Sequence, residues 1–152
     1  MKKLIELAAR GIKGLDFVSP LLDLAVRLYV ANVFWKSGLV KIASWQSTLA
    51  LFENEYQVPL LPAELAAYLA TGVELGGAAL LVIGLGGRAA AIALSVLNFV
   101  AVISYPELSE AGIRNHIYWG MFLALFVVHG TGKLSVDHLV RRKLITLASE
   151  RV

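Results

Sequence analysis

The chain has 152 residues, of which 58% are hydrophobic and 16% charged, and its mean hydropathy is +0.71. A soluble domain carries about a quarter charged residues, so this composition excludes an ordinary soluble enzyme, and the length allows one domain. The absence of cysteine removes disulfides, iron–sulfur clusters, thiolate metal sites and cysteine nucleophiles together, and a net charge of +3 in so apolar a chain is a topology signal rather than a nucleic-acid footprint.

In chain order, residues 1–19 come first. Leu4, Ala8, Gly11, Ile12 and Leu15 recur at helical spacing among Lys2, Lys3, Glu6, Arg10 and Lys13. With no continuous apolar core and no small-residue cleavage site, this predicts an amphipathic helix on the membrane surface rather than a leader. Four apolar segments follow at 21–44, 64–85, 88–105 and 116–132. Each is near the ~20 residues that cross ~30 Å of hydrocarbon. Ser19-Pro20 is read as the start of the first, Pro62 precedes the second, Gly84-Leu85-Gly86-Gly87 is a tight turn before the third, and Pro106 stops the third. Residues 45–63 form a long connection in which Trp45, Leu49, Phe52 and Tyr56 repeat at helical spacing, predicting a short interfacial helix. Residues 133–152 form a basic amphipathic tail suited to anionic headgroups. The expected architecture is thus all-α: an integral membrane four-helix bundle with an interfacial N-terminal helix, because only helices satisfy their backbone in lipid.

Lysine and arginine set the expected orientation. Ten of them (Lys2, Lys3, Arg10, Lys13, Arg88, Lys133, Arg141, Arg142, Lys143, Arg151) fall on one side and only Arg114 lies in the opposite loops. The positive-inside rule then places both termini in the cytoplasm, and a bacterial inner membrane is the expected location.

The chemistry lies in charges placed where hydrocarbon makes them costly, about 2.5–3.5 kcal/mol each at a span centre. On the first span Asp23, Arg27, Phe34 and Lys41 share one stripe at 100° per residue, while Tyr29, Asn32 and Lys36 share another. Asp23 and Arg27, four apart, are expected to pair within the helix. Lys41 is expected to snorkel to the surface, which leaves Lys36 in need of a partner. Glu74, near the middle of the second span, is the expected one. Gly72 and Gly76 beside it form a small-xxx-small pair that lets helices approach. Ser95 and Asn98 on the third span and His129 on the fourth add polar groups. These residues predict an interior polar pocket made of Arg27, Tyr29, Asn32, Lys36, Glu74, Asn98 and His129. They leave open whether it holds a ligand or only fixes helix register.

Other chemistries are less well supported. His116 and His129 stand about 220° apart around a helix and His138 lies beyond the span, so one chain offers no facing pair for haem. Glu53, Glu55, Glu107, Glu110 and His116 have no metal-ligand spacing and read as a solvated rim. The glycine turn follows no strand and is not a nucleotide loop. No Ser/His/Asp arrangement and no catalytic residue is identified.

The segment HGTGKLSVDHL, residues 129–139, closes a helix with glycines and then offers Ser135 as a cap with Asp137 in the next first turn. With Arg27 in AVRLYV, the run FWKSGLVKIASW and the stretch VELGGAALLVIGLGGRAAA, it resembles the DoxX family across Leu21 to Leu139. Lys36 departs from the family pattern, where histidine is frequent. The resemblance implies a membrane subunit of a redox or stress-response system, with a quinone as the implied ligand and a redox protein as partner. The alternatives are a membrane anchor or assembly factor for partner proteins, and a small-solute or proton carrier; the small-residue face on the second span would permit a homo-oligomer.

Overall fold

The computed structural model describes residues 1–149, with the side chains of residues 2, 5–11 and 148 left aside. The parts of the amphipathic readings that rest on Lys2, Glu6, Ala8, Arg10, Gly11 and Arg151 therefore lie outside the described residues. Among the described residues there are six helices and no strand: α1 Lys2–Ala43, α2 Trp45–Asn54, α3 Ala63–Ile83, α4 Gly87–Ser104, α5 Glu110–His129 and α6 Val136–Ser149. Four of them, including Ile12–Ala43 of α1, are long and apolar enough to cross a membrane.

Several boundaries differ from the sequence reading. α1 is one continuous helix that runs through Pro20, where a new helix was expected to begin. Proline removes a single hydrogen bond and its fixed φ is helical, and no glycine or loop segment stands beside it to break the chain. At 1.5 Å per residue α1 is about 63 Å long and α3 about 31 Å, so the first turns of α1 project well beyond the bundle. α5 begins at Glu110 rather than His116, because the hydroxyl of Ser109 accepts a hydrogen bond from the Gly112 amide at 3.1 Å and caps it. α3 stops at Ile83 because Gly84 takes the left-handed conformation, φ 72°. A short helix, as expected within 45–63, is present as α2.

α1 packs on α3, α3 on α4, and α4 on α5, with a lighter α1–α5 contact closing the ring. The core is made of Val30, Ala31 and Phe34 from α1, Ala78 and Leu81 from α3, Ala91 and Leu94 from α4, and Leu123 and Phe126 from α5. The alanines matter because lipid removes the hydrophobic drive between helices and leaves close van der Waals approach to do the packing. Gly38 shows the limit: a Cβ there would lie 2.7 Å from the Leu75 side chain. Gly72 and Gly76, expected to serve this purpose, instead face outward with nothing within reach. A second cluster seats α2, through Phe52, with Trp45, Leu49 and Tyr56, against Ala66, Ala67 and Ala70 of α3.

Candidate functional site

Two polar centres are set apart along the bundle, one at Glu74 and one at the turn between α3 and α4. The first is built on α1 and α3. Ser37 and Lys41 are one helical turn apart on α1, and Gly38 beside them lets α3 come close. The Lys41 ammonium donates to both carboxylate oxygens of Glu74, at 2.7 and 2.8 Å, and to the Ser37 hydroxyl at 3.0 Å. Ser37 in turn donates to Glu74 Oε1 at 3.0 Å. Glu74 is 6% exposed, and a buried carboxylate needs a compensating partner, which the bidentate ammonium supplies. The Thr48 hydroxyl donates to the Lys41 carbonyl at 2.9 Å and ties α2 to this corner.

A cavity of about 440 Å³ opens beside the pair. Most of its wall is apolar, from Val33, Phe34, Val73, Leu97 and neighbours. Asn98 and His116 stand on the α4–α5 side. The Asn98 amide nitrogen donates to the His116 carbonyl at 2.9 Å, which turns its oxygen toward His116 Nδ1 at 2.8 Å. That arrangement places the imidazole proton on Nδ1 and leaves Nε2 as an acceptor. The His116 ring meets Trp119 edge-on. Tyr56, stacked on Phe52 at 4.8 Å, is part of the wall; burial, with the charge of Glu74 adding, holds its hydroxyl above the usual tyrosine range. The hydroxyl of Ser104, also in the wall, is fully buried and has no hydrogen-bond partner among the described residues.

The second centre is a clasp made by the sequence HGTGKLSVDHL. Arg27, 2% exposed, does not pair with Asp23 as expected. It spans the bundle instead, Nη1 donating to the Thr131 carbonyl at 2.6 Å and Nη2 to the Leu134 carbonyl at 2.7 Å. Carbonyls in the turn after a helix lack intrahelical partners, and a planar fork serves two of them at once. Asp137 closes the other side: its oxygens accept from the Gly86 and Gly87 amides at 2.8 and 2.9 Å, capping α4, while its own amide donates to the Gly84 carbonyl. Ser135 caps α6, accepting from the His138 amide. A Cβ on Gly84 would sit 2.5 Å from Ser135. Asp137→Ala strips two amides of a charged acceptor and is expected to lower stability by about 1–3 kcal/mol, measured by thermal unfolding in detergent. Asp137→Asn, which keeps one acceptor oxygen, should lose less.

Of the pocket residues expected from sequence, Glu74 and Asn98 line the cavity. Arg27 is in the clasp. Tyr29, Asn32 and Lys36 are exposed on the outer face of α1, Tyr29 with its ring edge against Phe122, and His129 is exposed at the clasp end. The partner of Glu74 is Lys41 and not Lys36. The stripe of α1 that carries Arg27, Phe34 and Lys41 faces the protein, and the stripe of Tyr29, Asn32 and Lys36 faces away from it. Phe34, buried at 4% between Arg27 and Lys41, was the available signal. Lys41, Ser37, His116, Tyr56 and Ser104 were not among the expected site residues.

The family model for DoxX matches residues 22–106, more than half of the chain. The chain belongs to the DoxX family. An uncharacterized protein of Haemophilus influenzae is 30% identical to it over 128 residues, covering 78% of this chain and 83% of that protein. No solved structure matches. The stretch matched to DoxX carries Arg27, Ser37, Lys41, Glu74 and Asn98. His116 and the clasp residues Thr131 to Asp137 lie beyond it and are brought to those partners by the fold.

Proposed function

We propose that this DoxX protein is a membrane subunit of a redox or stress-response system that binds a quinone-like ligand in the cavity beside Lys41 and Glu74, with both termini cytoplasmic. The supporting observation is the cavity itself, apolar over most of its wall, with a charge-paired donor group at one side and an oriented imidazole at the other. Apolar pockets with a few convergent polar groups are the usual form of small-ligand sites. A quinone carbonyl accepts hydrogen bonds, which the Tyr56 hydroxyl can donate, and Lys41 or Ser37 only by giving up a bond to Glu74. A quinol hydroxyl donates, which His116 Nε2 can accept. The two electrons that separate these forms would come from a partner redox protein, and Glu74 is the acid group able to exchange the accompanying protons. α6 is read as resting on the cytoplasmic membrane surface, with Leu144 and Ile145 exposed beside Arg141 and Lys143, and the first turns of α1 as continuing the first span beyond it.

The test is the unfolding temperature of detergent-purified protein with and without decylubiquinone. An upward shift is expected, reduced or lost in Glu74→Gln and in His116→Phe, each compared with its own ligand-free value. No shift in the native protein, or shifts unchanged in both variants, would remove the reading. A second reading, a non-enzymatic assembly factor, is favoured by the closed geometry of the ion pair, which leaves Glu74 fully engaged within the chain. It expects a partner protein whose co-purification survives Glu74→Gln and is lost when residues 133–152 are removed.

A further inference from the structure

The clasp end carries its own pocket, of about 350 Å³, separate from the cavity beside Glu74. Three permanent cations from three parts of the chain line it: Arg88 from the first turn of α4, Lys133 from the connection after α5, and Arg141 from α6, with His138 among them. The two carboxylates present do not cancel them. Asp137, held by the Gly86 and Gly87 amides, and Asp23 on the α1 side offset two of the three positive charges and leave a net positive pocket. Arg88 uses one nitrogen, Nη2, on the Val128 carbonyl at 3.1 Å and keeps its other donors for a ligand. A further observation points to a missing acceptor. The Thr131 hydroxyl, in a residue 4% exposed that lines this pocket, has no hydrogen-bond partner among the described residues. Its carbonyl is taken by Arg27 and its methyl packs on Gly87, so the side chain is not free to turn away. Buried hydroxyls without partners are rare and costly.

Several cationic donors around one small space, with an unpartnered hydroxyl in a residue of its wall, match the oxygens of a phosphate group. The flanking surface is apolar: Phe17 and Leu21 of α1, and Leu125 and Val128 of α5, are exposed. Basic pockets between membrane helices at the cytoplasmic side suit phospholipid heads. We propose that the pocket binds a phosphate group, with Arg88, Lys133, Arg141 and His138 around its oxygens and Thr131 donating to one of them. The apolar flanks favour a phospholipid as its carrier, and Asp23 would accept from a headgroup hydroxyl.

The test uses the full chain in a neutral detergent and reads the unfolding temperature with phosphatidylglycerol, phosphatidylcholine or inorganic phosphate added. Phosphatidylglycerol at ten times its dissociation constant is expected to raise the unfolding temperature by about 3 °C or more, with phosphatidylcholine clearly weaker. The shift should be lost in Arg88→Gln/Lys133→Gln and reduced in Thr131→Val, which keeps the methyl against Gly87. It should be retained in Arg142→Gln/Lys143→Gln, whose cations lie on α6 outside the pocket. A shift from phosphatidylglycerol alone identifies a lipid head; an equal shift from inorganic phosphate identifies free phosphate; either supports the site. No shift from either probe overturns it. So does an equal response to phosphatidylcholine, an unchanged response in the Arg88/Lys133 variant, or equal loss in the Arg142/Lys143 variant, which would mean diffuse surface charge.

Discussion

Lys41→Met is expected to destabilise the folded bundle by about 3–5 kcal/mol, because it strands a buried carboxylate. Glu74 would keep only the Ser37 hydroxyl, which donates to it at 3.0 Å. The double variant Lys41→Met/Glu74→Gln should therefore recover most of the loss, since removing both members of a buried pair is far milder than removing one. Denaturant titration of the purified protein in mild detergent checks both. A loss below about 1 kcal/mol for Lys41→Met would show that the pair is solvated rather than sheltered. Lys36→Met is the contrasting case. Lys36 is exposed on the outer face of α1 and makes no hydrogen bond or ion pair among the described residues. Its removal is expected to leave the fold intact and to ease insertion of the first span by up to about 2.5–3.5 kcal/mol.

Arg27→Met is expected to have a comparable effect by a different route. It removes two charge-assisted hydrogen bonds and leaves the carbonyls of Thr131 and Leu134 without donors at the centre of the clasp. Each such loss is worth about 1–3 kcal/mol, so about 2–6 kcal/mol is at stake. The consequence is local as well as global. Arg27 is the link between α1 and the α5–α6 connection, and without it that connection should open first. Limited proteolysis after residue 130 checks this: cleavage should accelerate in Arg27→Met well before the spans unfold. Arg27→Lys should fall between, because a single ammonium does not present the fork that meets two carbonyls at 2.6 and 2.7 Å. Unchanged proteolysis in Arg27→Met would mean that Asp137 and the glycine turns hold the clasp by themselves.

The two centres explain why some motifs were legible and others were misplaced. HGTGKLSVDHL was visible as a helix stop followed by a cap, and that local role is real: Ser135 caps α6. Its long-range role was not visible. Asp137 caps α4, whose first residue is 50 positions earlier, and the carbonyls that Arg27 grips are more than a hundred positions from it. Capping rules describe how a residue serves its own helix, and contain nothing about a helix brought alongside by folding. His116 illustrates the same limit. In the sequence it stands apart from any ligand cluster; in the fold the α4–α5 pairing sets it against Asn98, and one amide fixes its tautomer.

What the amino-acid order determined by itself is whatever depends on neighbours along the chain. It set four apolar segments of spanning length, the short helix between the first two, the glycine turns that stop helices, and the division of α1 into two polar stripes. These follow from hydropathy and from 3.6 residues per turn, and both are local properties. The tertiary structure alone decided how α1 is rotated, and so which stripe meets protein. That angle is set by contacts between helices, where Gly38 admits Leu75 and Glu74 and where the clasp holds Arg27. A helix wheel looks the same at every rotation, and lipid, being as apolar as the core, gives the outward face no distinguishing composition.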